Sequence, residues 1–236
     1  SCSAERDPKI ASLKHAIGVA DSQLLDAAAE LDTTNCFPRS LMPKFRAVDA
    51  KDWTSGFFPG SLWQCNRFTG DEKLLAEAKK YTDRLEGIQY YKGTHDLGFM
   101  VFCSFGQQMQ TLHDRHSEEV IVEAAKSLIS RCDPRIGVIR SWDFGEWNYP
   151  VIIDNMMNLE MLFWVSKHTG DPVYRDVAVR HADITMKNHY RDDASSFHVV
   201  SYNDDGTVES QGTFQGYSDS SAWARGQAWG LYGYTM

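Results

Sequence analysis

Two aspartates, Asp96 and Asp154, stand where a polar loop gives way to a run rich in Phe, Met, Trp and Gly and poor in charge. An ionised carboxylate in such surroundings costs roughly several kcal/mol unless it is paired. Two of them brought together repel, and repulsion and burial both raise a carboxyl pKa. The pair is therefore a candidate for acid–base chemistry, with one member holding its proton and the other charged. The stretch 149–164 reads as one helix, apolar on most of its circumference and so buried on all sides, with the acid Asp154 and the amides Asn155 and Asn158 near its start. The competing reading makes each acid an ordinary helix N-cap; Asp154 follows Pro150 and an apolar run, where a cap would fall. Asp219 stands at a third such entrance.

Flat aromatic rings accompany these acids. Trp53, Trp142, Trp147, Trp223 and Trp229 fall in loops or apolar segments, not on charged helices. Rings beside acids and amides suit a sugar, whose apolar face a ring covers while polar groups take the hydroxyls. Any one of them alone reads as core filler. His95 and His198 have the chemistry to orient or exchange protons. Arg225, inside an apolar segment, needs an anion, either an internal aspartate or a substrate carboxylate. His113, Asp114 and His116 mimic a metal site, but they head a charged helix and read as solvated surface. The turn 203–206 lacks the ligand spacing of a calcium loop. No GxSxG, P-loop or GxGxxG occurs, and the sequence calls for neither metal nor cofactor.

A helical repeat positions these groups. Apolar spacing predicts a first long helix over 7–31 and a second from 53 to 68, with 32–52 irregular between them. Amphipathic helices follow over 74–85, 120–129 and 174–186, each opened by an acidic or hydroxyl residue. Each precedes a loop and then an apolar helix: 96–109, 154–164 and 220–234. An outer amphipathic helix followed by a buried inner one recurs about every 50–60 residues, and such pairs must stack to cover their inner faces. Stacked pairs form an open solenoid or close into a ring, and in a ring the loops carrying Asp96, Asp154 and Asp219 converge. The stretch 196–209 alternates and turns at Asn203–Gly206 by its composition, which predicts a β-hairpin.

Composition narrows the function classes. A net charge of −8 without a basic cluster argues against nucleic acid as a partner. No apolar run reaches the roughly 18 residues of a membrane helix. The five cysteines are widely spaced and odd in number, which predicts mostly buried free thiols. Cys2 is placed where a lipid-bearing cysteine would begin a mature bacterial lipoprotein, though an ordinary terminal cysteine reads equally well. The apolar segment 221–232 reads as a buried helix close to the last residue, so the folding unit is expected to be longer than the sequence.

Four blocks together resemble the unsaturated glucuronyl hydrolases of glycoside hydrolase family 88: the WTSGFFPG block from Trp53 to Gly60, the HDLGF block from His95 to Phe99, the DNMMN block from Asp154 to Asn158, and the block from Gln215 to Trp229. The resemblance implies an all-α (α/α)6 barrel with a small β-hairpin insertion, formed by residues 1–236 as one incomplete domain lacking its last hairpins. It implies hydration of the C4=C5 vinyl ether in the terminal uronic acid of lyase-generated, glycosaminoglycan-derived oligosaccharides. Asp154 would protonate C4 and then take a proton from the water that adds at C5, and Asp96 would tune Asp154. Trp53, His95, His198, Gln215, Arg225 and Trp229 would line the sugar, with no metal. A periplasmic or lipid-anchored bacterial location follows from that substrate and Cys2. Two rivals are a rhamnogalacturonyl hydrolase acting on pectin fragments and a non-catalytic helical-repeat binding module.

Overall fold

The computed structural model describes residues 8–40 and 43–236. Cys2, the expected anchor position, lies outside them. The chain separates into two compact units, residues 1–86 with 102–118 and residues 87–101 with 119–236.

The first unit contains the long helix α1 (Pro8–Glu30), a short antiparallel pair β1 (Phe37–Ser40) and β2 (Arg46–Val48), helices α2 (Phe57–Thr69) and α3 (Glu72–Asp83), and α4 (Phe105–Leu112). The β-pair lies in the region read as irregular. α2 and α3 pack against each other as a helical hairpin. α2 ends on Gly70 at φ +71°, a left-handed position that glycine adopts without strain. Asp71 then caps α3, its carboxylate accepting from the Lys73 amide at 2.7 Å. α3 buries Leu74, Ala78 and Tyr81, one stripe of a helical face. The Trp63 indole donates to Thr82 Oγ1 at 2.9 Å, which satisfies both groups in the core.

Helix α5 (Arg115–Ile129) begins in the first unit and runs on into the second. Asp114 accepts from the Ser117 amide at 3.0 Å and so caps it, while His116 is exposed beside Glu86. The metal mimicry is thus a surface arrangement, as expected.

The second unit continues with β3 (Pro150–Ile152), α6 (Leu159–Thr169), α7 (Pro172–His189), β4 (Val199–Tyr202), β5 (Val208–Gly212) and α8 (Ala224–Thr235). β4 and β5 are the expected hairpin. β3 joins them as a third antiparallel strand, with Ile152 opposite Val199 and Val199 opposite Gly212. Here the structure departs from the expectation of a single helix over 149–164. Pro150 lacks an N–H and Val151, Ile152 and Ile153 are β-branched, so the segment starts extended. A 3-10 stretch, Ile153–Asn158, follows, and only then does α6 begin. Nor is α6 buried all round, since Phe163 is 38% exposed.

Two other inner segments also differ. After Asp96 the chain makes a wide π-helical turn, Gly98–Phe102, before α4. α8 is not the buried helix expected: it buries Gly226 and Gly230, while Leu231 is largely exposed. The four described cysteines are only partly buried, where the sequence pointed to mostly buried ones. No helix among the described residues is long and apolar enough to cross a membrane.

Candidate active site

Sheet register places Asp154. Ile152 pairs with Val199, so the residues just after β3 lie beside those just before β4, and the Ile153 amide donates to the His198 carbonyl at 3.0 Å. His198 Nε2 consequently stands 3.7 Å from Asp154 Oδ1. Because Val199 also faces Gly212, the chain leaving β5 passes the same histidine, and the amides of Phe214 and Gln215 donate to its Nδ1 at 3.0 and 3.2 Å.

Glycines let α8 close over this segment. An added Cβ on Gly226 would lie 2.8 Å from Ile153 Cγ2, and one on Gly233 would lie 2.5 Å from Met156 Cβ. Together with Gly230 they form one face at helical spacing, and the backbone of α8 rests directly on the 3-10 stretch. That contact brings Arg225 and Trp229 toward Asp154.

A chain of amides ties the Asp96 loop to the same segment. The Gly98 amide donates to Asn158 Oδ1 at 2.9 Å, and Asn158 Nδ2 donates to Asn155 Oδ1 at 2.7 Å. Asn155 Nδ2 in turn donates to the Ile139 carbonyl at 2.7 Å. A Cβ on Gly98 would sit 2.5 Å from Asn158 Oδ1, so only glycine permits this approach. Asp96 itself is held from two sides. Thr94 Oγ1 donates to its Oδ2 at 2.5 Å, and His95 Nε2 stands 3.2 Å from its Oδ1.

Asp154 is not the N-cap that competed with the catalytic reading. It lies inside the 3-10 stretch, 6% exposed, and its Oδ1 has no hydrogen-bond partner among the described residues. Its pKa is pushed up to about 7, by burial first and then by the charge of Asp96. Its own backbone amide, the Arg225 charge and the Trp229 indole oppose this more weakly; the indole does so without an ordinary hydrogen bond. Burial likewise drives His198 down to about 3, helped by His189, His95 and Arg225. His95 is lowered by burial against the pull of Asp96. Burial thus favours the neutral ring at both positions, the form in which each imidazole can orient a neighbour through one donor and one acceptor nitrogen.

Several polar atoms here are buried without a partner among the described residues: Asp154 Oδ1, His95 Nδ1, His198 Nε2, and the indole nitrogens of Trp142 and Trp229. Unsatisfied buried polar atoms are costly, and a cluster of them fits a polar ligand that completes them. Rings border the cluster. Trp229 meets Phe99 edge-on at 5.0 Å, and His198 lies 4.6 Å from Trp223 and 6.1 Å from Trp142. Trp142 also stacks on the exposed Phe144 at 4.9 Å and contacts Trp147 and Phe214. Arg225 is exposed, packs over Trp223 at 4.4 Å, and donates to Gln215 Oε1 at 2.5 Å.

The second unit thus gathers Asp96, Asp154, His95, His198, Gln215, Arg225 and Trp229. Trp53 belongs to the first unit, edge-on to Phe57 with the Arg39 guanidinium 5.7 Å from its ring centre. Asp219 does not join the acids. It is exposed, and its carboxylate accepts from the Thr213 amide at 2.8 Å, clamping the loop after β5. Sequence reading missed Thr94, Gly98 and the glycine face of α8. The spacing of Gly226, Gly230 and Gly233 was the available signal. A groove of about 1090 Å³ in the first unit, lined by Leu24, Phe45, Phe57, Cys65 and Cys103 among others, holds none of the candidate residues.

The family model described as Glycosyl Hydrolase Family 88 matches residues 29–236. An unsaturated glucuronyl hydrolase of Formosa agariphila is 48% identical over 209 residues, covering 86% of this chain and 52% of that protein. An unsaturated chondroitin disaccharide hydrolase of Streptococcus pyogenes serotype M1 is 37% identical over 198 residues, covering 80% of this chain and 49% of that protein. A crystal structure of an unsaturated glucuronyl hydrolase specific for heparin aligns with a TM-score of 0.89 at 48% identity, over 94% of this chain and 61% of the other. The chain spans about half the length of the curated relatives it matches. Its fold class is that of these neighbours: all-α, of the (α/α)6-barrel kind, with small antiparallel sheets.

Proposed function

Since the chain belongs to glycosyl hydrolase family 88, we propose that the protein removes the terminal 4,5-unsaturated uronic acid from lyase-generated oligosaccharides, glycosaminoglycan-derived ones first. The observation that carries this reading is Asp154: a buried carboxyl group near neutral pKa, beside the charge of Asp96 and among unsatisfied donors. A vinyl ether is a weak base at carbon, so its catalyst must arrive with the proton in place, and burial beside a second acid arranges that.

In the proposed sequence Asp154 gives its proton to C4, and the ring oxygen shares the charge left at C5. The Asp154 carboxylate then takes a proton from the water that bonds to C5. The resulting hemiketal opens and the linkage breaks, with Asp154 protonated as at the start. This differs from displacement at the anomeric carbon, for which two carboxyl groups flank the glycosidic bond. Asp96 keeps the Asp154 proton in place by its charge and binds sugar hydroxyls. Gln215 and Arg225, joined to each other, supply polar and cationic contacts for the uronate, and Trp229 supplies a ring.

Unsaturated heparin, chondroitin and pectin disaccharides, followed by loss of their ultraviolet absorbance, test the reading. Heparin-derived substrates are expected first, in line with the 48%-identical structure specific for heparin. Turnover in heavy water should place one deuterium at C4 of the released uronate. Release without deuterium at C4, or activity confined to saturated glycosides, would refute it.

A further inference from the structure

We propose that His198 is a positioning residue, locked by the main chain of the loop after β5 into the Nε2–H form, and that this N–H selects which oxygen of Asp154 carries the catalytic proton. The inference rests on Asp154 being the proton donor. It starts from the two amides, Phe214 and Gln215, that donate to the same nitrogen, Nδ1. A nitrogen that accepts cannot carry a hydrogen, so in the neutral ring the hydrogen must sit on Nε2. Nε2 is the atom that faces Asp154 Oδ1, at 3.7 Å and without another partner among the described residues. Catalytic contacts of this length tighten when substrate closes the site.

The consequence for Asp154 is directional. An N–H facing Oδ1 favours that oxygen as the acceptor, so the carboxyl proton resides on Oδ2. A carboxyl group free to carry its proton on either oxygen would present it to C4 only part of the time. The charged and titratable groups around His198 are His189 on α7, His95, Arg225 on α8 and Asp154. Burial and the Arg225 guanidinium disfavour an added positive charge, and the amides oppose a hydrogen on Nδ1. One side chain thereby links the substrate-contacting loop, which carries Gln215, to the acid.

The test does not need substrate. In the purified protein, nitrogen-15 NMR of the His198 ring, assigned through backbone correlations, should show hydrogen on Nε2 and a bare Nδ1 from about pH 5 to 8. A hydrogen on Nδ1, or an imidazolium form in that range, would overturn the proposal. His198→Asn keeps an acceptor for the two amides but removes the donor facing Asp154. The Asp154 carboxyl, followed by carbon-13 NMR, should then titrate at higher pH, because its anion has lost a donor. With a working substrate, His198→Asn should lower kcat roughly tenfold to a hundredfold with little change in KM, and move the basic limb of the kcat profile upward. His198→Gln, which returns an N–H near the Nε2 position, should recover part of kcat. An unmoved Asp154 titration, or a change in KM alone, would make His198 a sugar contact only. If no unsaturated substrate is turned over, the function proposed above fails, while the two NMR readings still decide the tautomer.

Discussion

Asp71 and Asp171 each follow a Thr-Gly pair and each open a helix, and each carboxylate accepts from the amide two residues on, at 2.7 and 3.0 Å. Asp154 also heads a helical segment, but it is buried, has an oxygen without a partner among the described residues, and has its pKa pushed up to about 7. The same side chain thus serves two physical ends. Where water reaches it, it accepts from a free N–H group of a helix start and the helix is stabilised. Where the chain enters from a buried strand instead, no cap geometry forms, and the carboxyl group keeps its proton at a cost to the fold. What separates the two cases is the preceding backbone: Thr-Gly turns in one, a β-branched strand behind a proline in the other.

The largest expected effect is at Asp154. Asp154→Asn should leave the fold intact and lower turnover of an unsaturated disaccharide by roughly a thousandfold. Retained turnover would put Asp154 with the caps. The same variant should be more stable than the parent at neutral pH. Between about pH 4 and 7 the folded chain holds a proton on Asp154 that the unfolded chain has released, so stability falls as pH rises through that window and stays lower above it. The full difference is about 4 kcal/mol at most, and denaturant midpoints of parent and variant at pH 4 and pH 8 measure it.

Asp96→Asn is next. It removes the charge that helps to raise Asp154, so the basic limb of the kcat profile should move to lower pH, with kcat down roughly a hundredfold. Burial remains, so the limb should not return to the range of a free aspartate. An unmoved limb would mean that burial alone sets the Asp154 pKa. Gly98→Ala forces a Cβ against Asn158 and should cost about 1–3 kcal/mol in the denaturant midpoint, together with activity, since it parts the Asp96 loop from the Asp154 segment. Smallest is Asp171→Ala, which should cost about 1 kcal/mol by thermal melting and leave kcat unchanged. A loss of activity there would erase the contrast with Asp154.

Much of this was legible from residue order. Outer helices announced themselves by charge on one face, α3 and α7 also by Thr-Gly-Asp at the start, and α2, α3, α5 and α7 lie close to where periodicity put them. The hairpin was visible in the alternation before Asn203 and after Gly206. The third strand was not, because a short run of Pro, Val and Ile reads equally as the start of a buried helix, and its pairing with β4 is a contact across some 50 residues. With β3 unseen, the adjacency of His198 and Asp154 could not be derived from spacing; family resemblance put His198 only among the residues lining the sugar. The buried face of α7 was hidden for a related reason. His181 accepts from the Ile139 amide and the His189 ring bonds the Val151 carbonyl, so its polar residues serve backbone groups of another segment. A helical wheel would assign them to solvent.

β5 lies at the edge of its sheet, with Val208, Glu209, Ser210 and Gln211 all exposed, whereas β4 is buried throughout. Exposed edges open at lower temperature than cores. When this edge frays, the loop that follows it withdraws from His198 while the helices stay folded. Gentle warming should therefore silence the protein reversibly, at temperatures where its circular dichroism is still that of the native state.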